Sequence, residues 1–170
     1  MNAYADNLKI YIETEKILTE FFNEFNFCIT HCIEKEQKAD PRLTIIGCCK
    51  DKYYIIEDLD HPAYYLLRKE REALYGKPED IKNSDRASPC EYHTPRGCLL
   101  KSHKSPICLS FLCPPSISFL RERYQLFEYD YLGIYYALEW ILTGDLSGQA
   151  LEEFQAGCLN MVEKIKGKTA

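Results

Sequence analysis

Eight cysteines crowd residues 28–113 of this 170-residue chain. They form two loose quartets: Cys28 and Cys32 with Cys48-Cys49 fifteen residues on, then Cys90, Cys98, Cys108 and Cys113. Thiolates are soft, charged donors that suit zinc and iron–sulfur clusters, and both are typically held by four protein ligands. Eight is two fours. The spacing of Cys28 and Cys32 brings two sulfurs together across one helical turn, and Cys108 and Cys113 are close enough in sequence to converge. Neighbouring residues of an extended chain point to opposite faces. Cys48 and Cys49 therefore reach different sites, or different irons of one cluster, and the two quartets interdigitate.

The surroundings favour metal over other uses of a thiol. Core cysteines do not collect in proline-rich loops, and clustered cysteines in a reducing compartment more often bind metal than form disulfides. Arg96, Lys101, His103 and Lys104 fall between Cys90 and Cys108, where positive charge would stabilise thiolates. His31, His93 and His103 stand beside the cysteines and could replace a ligand, although a place next to the ligands or at the surface is the simpler reading. The ninth cysteine, Cys158, lies on the apolar stripe of the last helical segment and reads as a packed core thiol. Cys113 is followed directly by Pro114, as is the last ligand of bacterial ferredoxin runs. The intervals 28/32 and 108/113 are equally at home in structural zinc sites.

The order Cys28, Cys32, Cys48-Cys49, Cys90, Gly97-Cys98, Pro106-Ile107-Cys108 and Phe111-Leu112-Cys113 resembles the eight-cysteine family called YkgJ-like, or CxxCxxCC. That family is described as an iron- or zinc-chelating domain. A cysteine-rich segment of similar type occurs in flagellin lysine N-methylases, where an iron–sulfur cluster is implicated. The resemblance covers roughly residues 28–113 and implies that all eight cysteines are ligands. Two features depart from it: the long interval between Cys32 and Cys48, and Ser105-Pro106 where the family usually has Arg-Pro. Nothing beyond this segment resembles a methylase, so methyl transfer is not carried over.

The elements that must position these residues are mainly helical. Leu8, Tyr11, Leu18, Phe22 and Phe25 recur at helical spacing, which predicts a helix from about Asn7 to Phe27 leading straight into Cys28. Leu43-Thr-Ile-Ile and Tyr53-Tyr-Ile-Ile flank the Cys48-Cys49 pair and predict a small β-hairpin over 43–57. A helix is expected over Pro62–Tyr75, capped by Asp60 or His61 and stopped by Gly76. Residues 77–115 hold six prolines and four cysteines with little periodicity, so a metal or outside packing must order them. From Ile117 to Ile141, apolar residues including Leu120, Tyr124, Phe127, Tyr131, Ile134 and Leu138 keep helical spacing. This predicts one long helix from Ser116 to Gly144, paired with a last helix over about Ser147 to Lys166 in a hairpin.

Composition bounds the rest. One domain of residues 1–170 is expected at this length, with metal-binding segments 28–49 and 90–113 and a helical hairpin over 116–166. The net charge of −5 argues against a sequence-independent grip on nucleic acid. No apolar run approaches the ~18–20 residues of a membrane span, and the start, Met1-Asn2-Ala3-Tyr4-Ala5-Asp6, lacks the features of a signal peptide. A cytoplasmic location is expected. No phosphate-binding glycine loop, dinucleotide fingerprint or His-Glu-x-x-His motif is present.

The sequence thus predicts a mainly α fold, about four helices around a loop-rich cysteine centre. Its expected function is to hold one or two iron–sulfur clusters, of the [4Fe-4S] type, through Cys28, Cys32, Cys48, Cys49, Cys90, Cys98, Cys108 and Cys113, for electron transfer with an unknown redox partner or a cluster-dependent reaction. A zinc-stapled interaction module is the alternative. A methylase-type cluster enzyme is the third reading, and it would need a cofactor site.

Overall fold

The computed structural model describes residues 3–39, 53, 55, 61–80, 90–94 and 97–169, and it is mainly helical. In chain order come α1 (Ala3–Phe25), a π-helical turn (Cys28–Ile33), α2 (Glu34–Ala39), α3 (Pro62–Tyr75), and a 3-10 turn (Pro78–Asp80). Two short strands follow, β1 (His93–Thr94) and β2 (Gly97–Cys98), then α4 (Pro106–Ser110), α5 (Pro114–Tyr124), α6 (Tyr131–Thr143) and α7 (Gly148–Thr169). Among the described residues no helix is long and apolar enough to cross a membrane.

α1 organises the bundle, packing against α7, α6 and α3, while α4 packs on α6 and α5 on α7. Without Gly or Pro in its span, α1 carries an unbroken stripe of Leu8, Tyr11, Leu18, Phe21 and Phe25 into the core. Full burial of side chains such as Leu18 and Phe21 contributes roughly 1.5–3 kcal/mol each. Phe21, rather than the expected Phe22, is fully buried, and its ring stacks on Tyr129 at 5.3 Å. Polar ties supplement the packing: Gln155 Nε2 of α7 donates to Thr14 Oγ1 of α1 at 2.8 Å, and Asn7 Nδ2 donates to Leu142 O at 3.3 Å.

α3 forms as expected. Its N-cap is His61, whose Nδ1 accepts from Ala63 N at 3.3 Å, Pro62 occupies the first turn, and Gly76 ends it at φ 84°. Other expectations need correction. α1 stops at Phe25 because Asn26 adopts a left-handed conformation, φ 46°, so Cys28 and Cys32 sit in a separate π-helical turn and not on the end of α1. The single helix expected from Ser116 to Gly144 is two helices. Gln125 at φ 54° terminates α5, and Asp130 restarts the chain as N-cap of α6, accepting from Leu132 N at 3.1 Å. Between them Leu126 and Tyr129 turn inward, while Phe127, expected on the core stripe, is 67% exposed. The two-helix hairpin over 116–166 is therefore a three-helix unit. It begins at Pro114 behind the N-cap Cys113, and Gly144 does end α6, at φ 92°.

The hairpin expected over 43–57 lies outside the described residues, apart from Tyr53 and Ile55. The antiparallel ladder that is described pairs His93 with Cys98 and Thr94 with Gly97, inside the proline-rich segment that carried no periodic signal.

Candidate metal centre

Six of the seven described cysteines lie in two regions, and these cut across the sequence quartets. One surrounds the π-helical turn. Cys32 and Cys113 line an open cavity of about 510 Å³, together with Phe27, Thr30, His31, Lys35, Lys38 and Pro115, and Cys28 sits one turn before Cys32 in the same π turn. Cys113 caps α5 as its N-cap residue, and its thiol donates to Ser116 Oγ at 3.4 Å. The other grouping is Cys90, Cys98 and Cys108. Cys90 is buried with Tyr92 and Leu100, and Cys108 packs against that cluster. Burial pushes the Cys108 thiol up to about 12, with the charges of Cys98 and Cys90 adding to the rise and Arg71 opposing it. Cys48 and Cys49 lie outside the described residues.

One carboxylate and three phenols hold the loop that carries the second grouping. Glu15, on α1, is 1% exposed. Its two oxygens accept from the backbone N–H groups of His103 at 2.7 Å and Lys104 at 3.1 Å, and Lys104 Nζ lies 3.6 Å from it. Tyr11 OH donates to Lys104 O at 2.8 Å. On α3, Tyr75 OH accepts from the N–H groups of Lys101 at 3.1 Å and Ser102 at 3.0 Å. Tyr92 OH donates to Gly76 O at 3.0 Å, and Ser105 caps the turn bearing Cys108, accepting from Cys108 N at 3.3 Å. The core thus reaches out through side-chain donors and acceptors to fix a loop that has almost no ladder of its own.

Neither Glu15 nor Arg71 was singled out from the sequence, although both leave a signal there. Glu15 occupies the apolar register of α1 between Tyr11 and Leu18, and Arg71 occupies that of α3 after Tyr64 and Leu67. A charge at a core position needs a partner. Arg71, 2% exposed, sets its guanidinium 5.8 Å from the centre of the Tyr92 ring.

The positive charges expected around the thiolates are only partly there. Lys104 is committed to Glu15, and His103 lies between Glu70 Oε2 at 3.2 Å and Ser102 Oγ at 2.9 Å. Burial pushes up the Cys98 thiol even though the residue as a whole is exposed, and Lys104 and Lys101 pull it back down. The Arg96 side chain and that of His93 are not among those described. His31 is taken up in packing, stacked at 4.4 Å on Phe27 with Nδ1 2.8 Å from Thr30 Oγ1. Cys158 is the core thiol expected of it, 2% exposed, and burial pushes it up to about 12.

A thiol of pKa about 12 carries about three orders of magnitude less thiolate at neutral pH than an ordinary cysteine of about 8.5. In native, metal-free protein at pH 7, iodoacetamide should therefore label the exposed Cys28 early and Cys108 and Cys158 last. Peptide mapping over time checks this order, and early labelling of Cys108 would contradict the enclosed environment described above.

The structure is an α-helical bundle whose core clamps a cysteine-bearing loop and which carries a cavity lined in part by Cys32 and Cys113. No family model, curated protein or solved structure matches the chain. Among the described residues no three His, Cys, Asp or Glu side chains are placed together as metal ligands.

Proposed function

We propose that this protein is a thiolate metal protein of the YkgJ-like kind, holding two iron–sulfur centres, of the [4Fe-4S] type, for electron transfer or a cluster-dependent reaction. The observation that supports the reading is the clamped segment that carries Cys90, Cys98 and Cys108, where Cys108 packs against the cluster of Cys90 and feels the charges of the other two thiols. The donors fit in kind, being soft and nearly all sulfur. Six described cysteines divide three and three, with Cys28, Cys32 and Cys113 as the other set. The adjacent pair Cys48-Cys49, whose side chains diverge in extended chain, would complete one set each. A bound cluster would supply one-electron chemistry, and the chain's own part is to fix the donors and neutralise their charge. Lys101, Lys104 and Arg71 serve the second set in this way.

The raised thiol pKa values matter here. A metal must displace the proton from Cys108, so loading releases protons and weakens as pH falls. The unknown redox partner, the absence of nucleic acid and membrane from its ligands, and a cytoplasmic location complete the reading.

Protein purified without oxygen decides the metal. A brown sample with a broad absorption near ~400 nm and matching iron and sulfide supports clusters. Colourless protein with stoichiometric zinc and chelator-induced unfolding makes it the zinc-stapled interaction module instead. Tight binding of S-adenosylmethionine would favour the methylase-type reading.

A further inference from the structure

We infer that Ser102, His103 and Glu70 form a nucleophile, base and carboxylate set for acyl transfer from a small carboxylic ester. Glu70 stands on α3, while Ser102 and His103 lie on the clamped segment between β2 and α4. Ser102 Oγ is 2.9 Å from His103 Nδ1, and His103 Nε2 is 3.2 Å from Glu70 Oε2. Counting donors and acceptors places each proton of this chain. Tyr75 OH accepts from the N–H groups of Lys101 at 3.1 Å and Ser102 at 3.0 Å, which occupies both lone pairs of its oxygen. Its own proton therefore goes to Ser102 Oγ, at 3.1 Å. The serine proton is left for His103 Nδ1, and Nε2 carries the hydrogen that Glu70 accepts. A hydroxyl that donates to an imidazole held from its far side by a carboxylate is the arrangement that activates a serine.

The backbone supplies the rest. His103 adopts φ 60°, a left-handed conformation that is uncommon outside glycine and gathers at functional sites. Glu15 holds it there by accepting His103 N–H at 2.7 Å, and the residue is buried. Ser102 is half-buried and the Glu70 side chain is half exposed, so the set faces solvent at one end. The Tyr75 oxygen marks the place of an acyl oxygen, within 3.1 Å of two N–H donors and of the serine oxygen. One of those donors is the nucleophile's own N–H. An ester enters by taking this place from the half-buried Tyr75 side chain. Ser102 Oγ bonds to the carbonyl carbon, its proton passes to His103 Nδ1, and the charged oxygen accepts from the two N–H groups. The bond from that carbon to the alcohol oxygen breaks as His103 returns the proton to the alcohol. Water then follows the same route, giving its proton to His103, releasing the acid and restoring Ser102. Glu70 holds the ring throughout, and the cysteines take no part in the step.

A fluorophosphonate reads the nucleophile, because phosphorus takes the place of the acyl carbon and fluoride is the group that leaves. Added to the full chain, it should attach to Ser102, as mapped by peptide mass spectrometry. Hydrolysis of p-nitrophenyl acetate should fall in step with this labelling, and Ser102→Ala should abolish both. Glu70→Gln changes a half-exposed position. It should reach the same final labelling at least about tenfold more slowly, whereas a purely structural role would lower the extent and not the rate. Four outcomes overturn the inference: no adduct on the native chain, labelling of Ser102 no faster than in urea-unfolded chain, ester hydrolysis that survives Ser102→Ala, or a Glu70→Gln rate equal to that of the parent.

Discussion

Replacing Glu15 with leucine is expected to cost the fold about 3–5 kcal/mol, a large share of the roughly 5–15 kcal/mol that holds an ordinary domain. The variant leaves the N–H groups of His103 and Lys104 without their acceptors, at about 1–3 kcal/mol each. It also strips a partner from Lys104, whose side chain is only 14% exposed. Glu15→Gln keeps one acceptor oxygen, so a loss of about 1–3 kcal/mol is expected there. Urea midpoints at constant slope measure both. A leucine variant as stable as the parent would show that the clamp contributes nothing.

The same carboxyl should write a pH dependence. Burial pushes Glu15 above its usual 4.5, with Lys104 and the two N–H bonds pulling back. Its folded pKa thus exceeds its unfolded one, and folding takes up a proton between them. The stability it contributes is complete below 4.5 and is lost as pH rises through the raised folded value. The stability gap between the parent and Glu15→Gln should therefore narrow as pH rises from about 4 to 7.5. A gap that widens instead would mean that Lys104 outweighs burial.

The clamp also explains what could be read from the sequence. α3 was legible because its signals are local: a cap at Asp60 or His61, which the structure assigns to His61, Pro62 in the first turn, and Gly76 at its end with positive φ. The helix expected across residues 116–143 failed because spacing alone does not reveal a turn. Leu126 and Tyr129 satisfy the core from a connector, and Phe127 kept the right period while pointing outward. Gln125, with no glycine or proline to announce it, ends α5 in the left-handed region. Glu15 and Arg71 were hidden for the opposite reason, since an apolar stripe is found by ignoring its charges. The grouping of cysteines depended on tertiary packing from the start. Cys113 is five residues from Cys108, yet α5 carries it to the cavity wall beside Cys32, which no spacing rule could place.

That regrouping makes the second large effect testable cysteine by cysteine. If Cys28, Cys32 and Cys113 serve one centre and Cys90, Cys98 and Cys108 another, Cys108→Ser and Cys32→Ser should each remove about half of the bound metal. The double variant should remove nearly all of it. Serine keeps the size but offers a hard, weakly acidic donor that neither zinc nor a cluster prefers. Cys113→Ser is the decisive single change, because the sequence quartets put it with Cys108 and the structure puts it with Cys32. Combined with Cys32→Ser it should cost no more metal than either alone, whereas combined with Cys108→Ser it should empty the protein. Cys158→Ser, in the core, should leave the metal content intact and lower only stability. Loss of all metal from any single change would mean one shared centre. Full metal content in the Cys32, Cys108 double variant would remove the thiolate reading altogether, because each grouping would then have lost a donor without consequence.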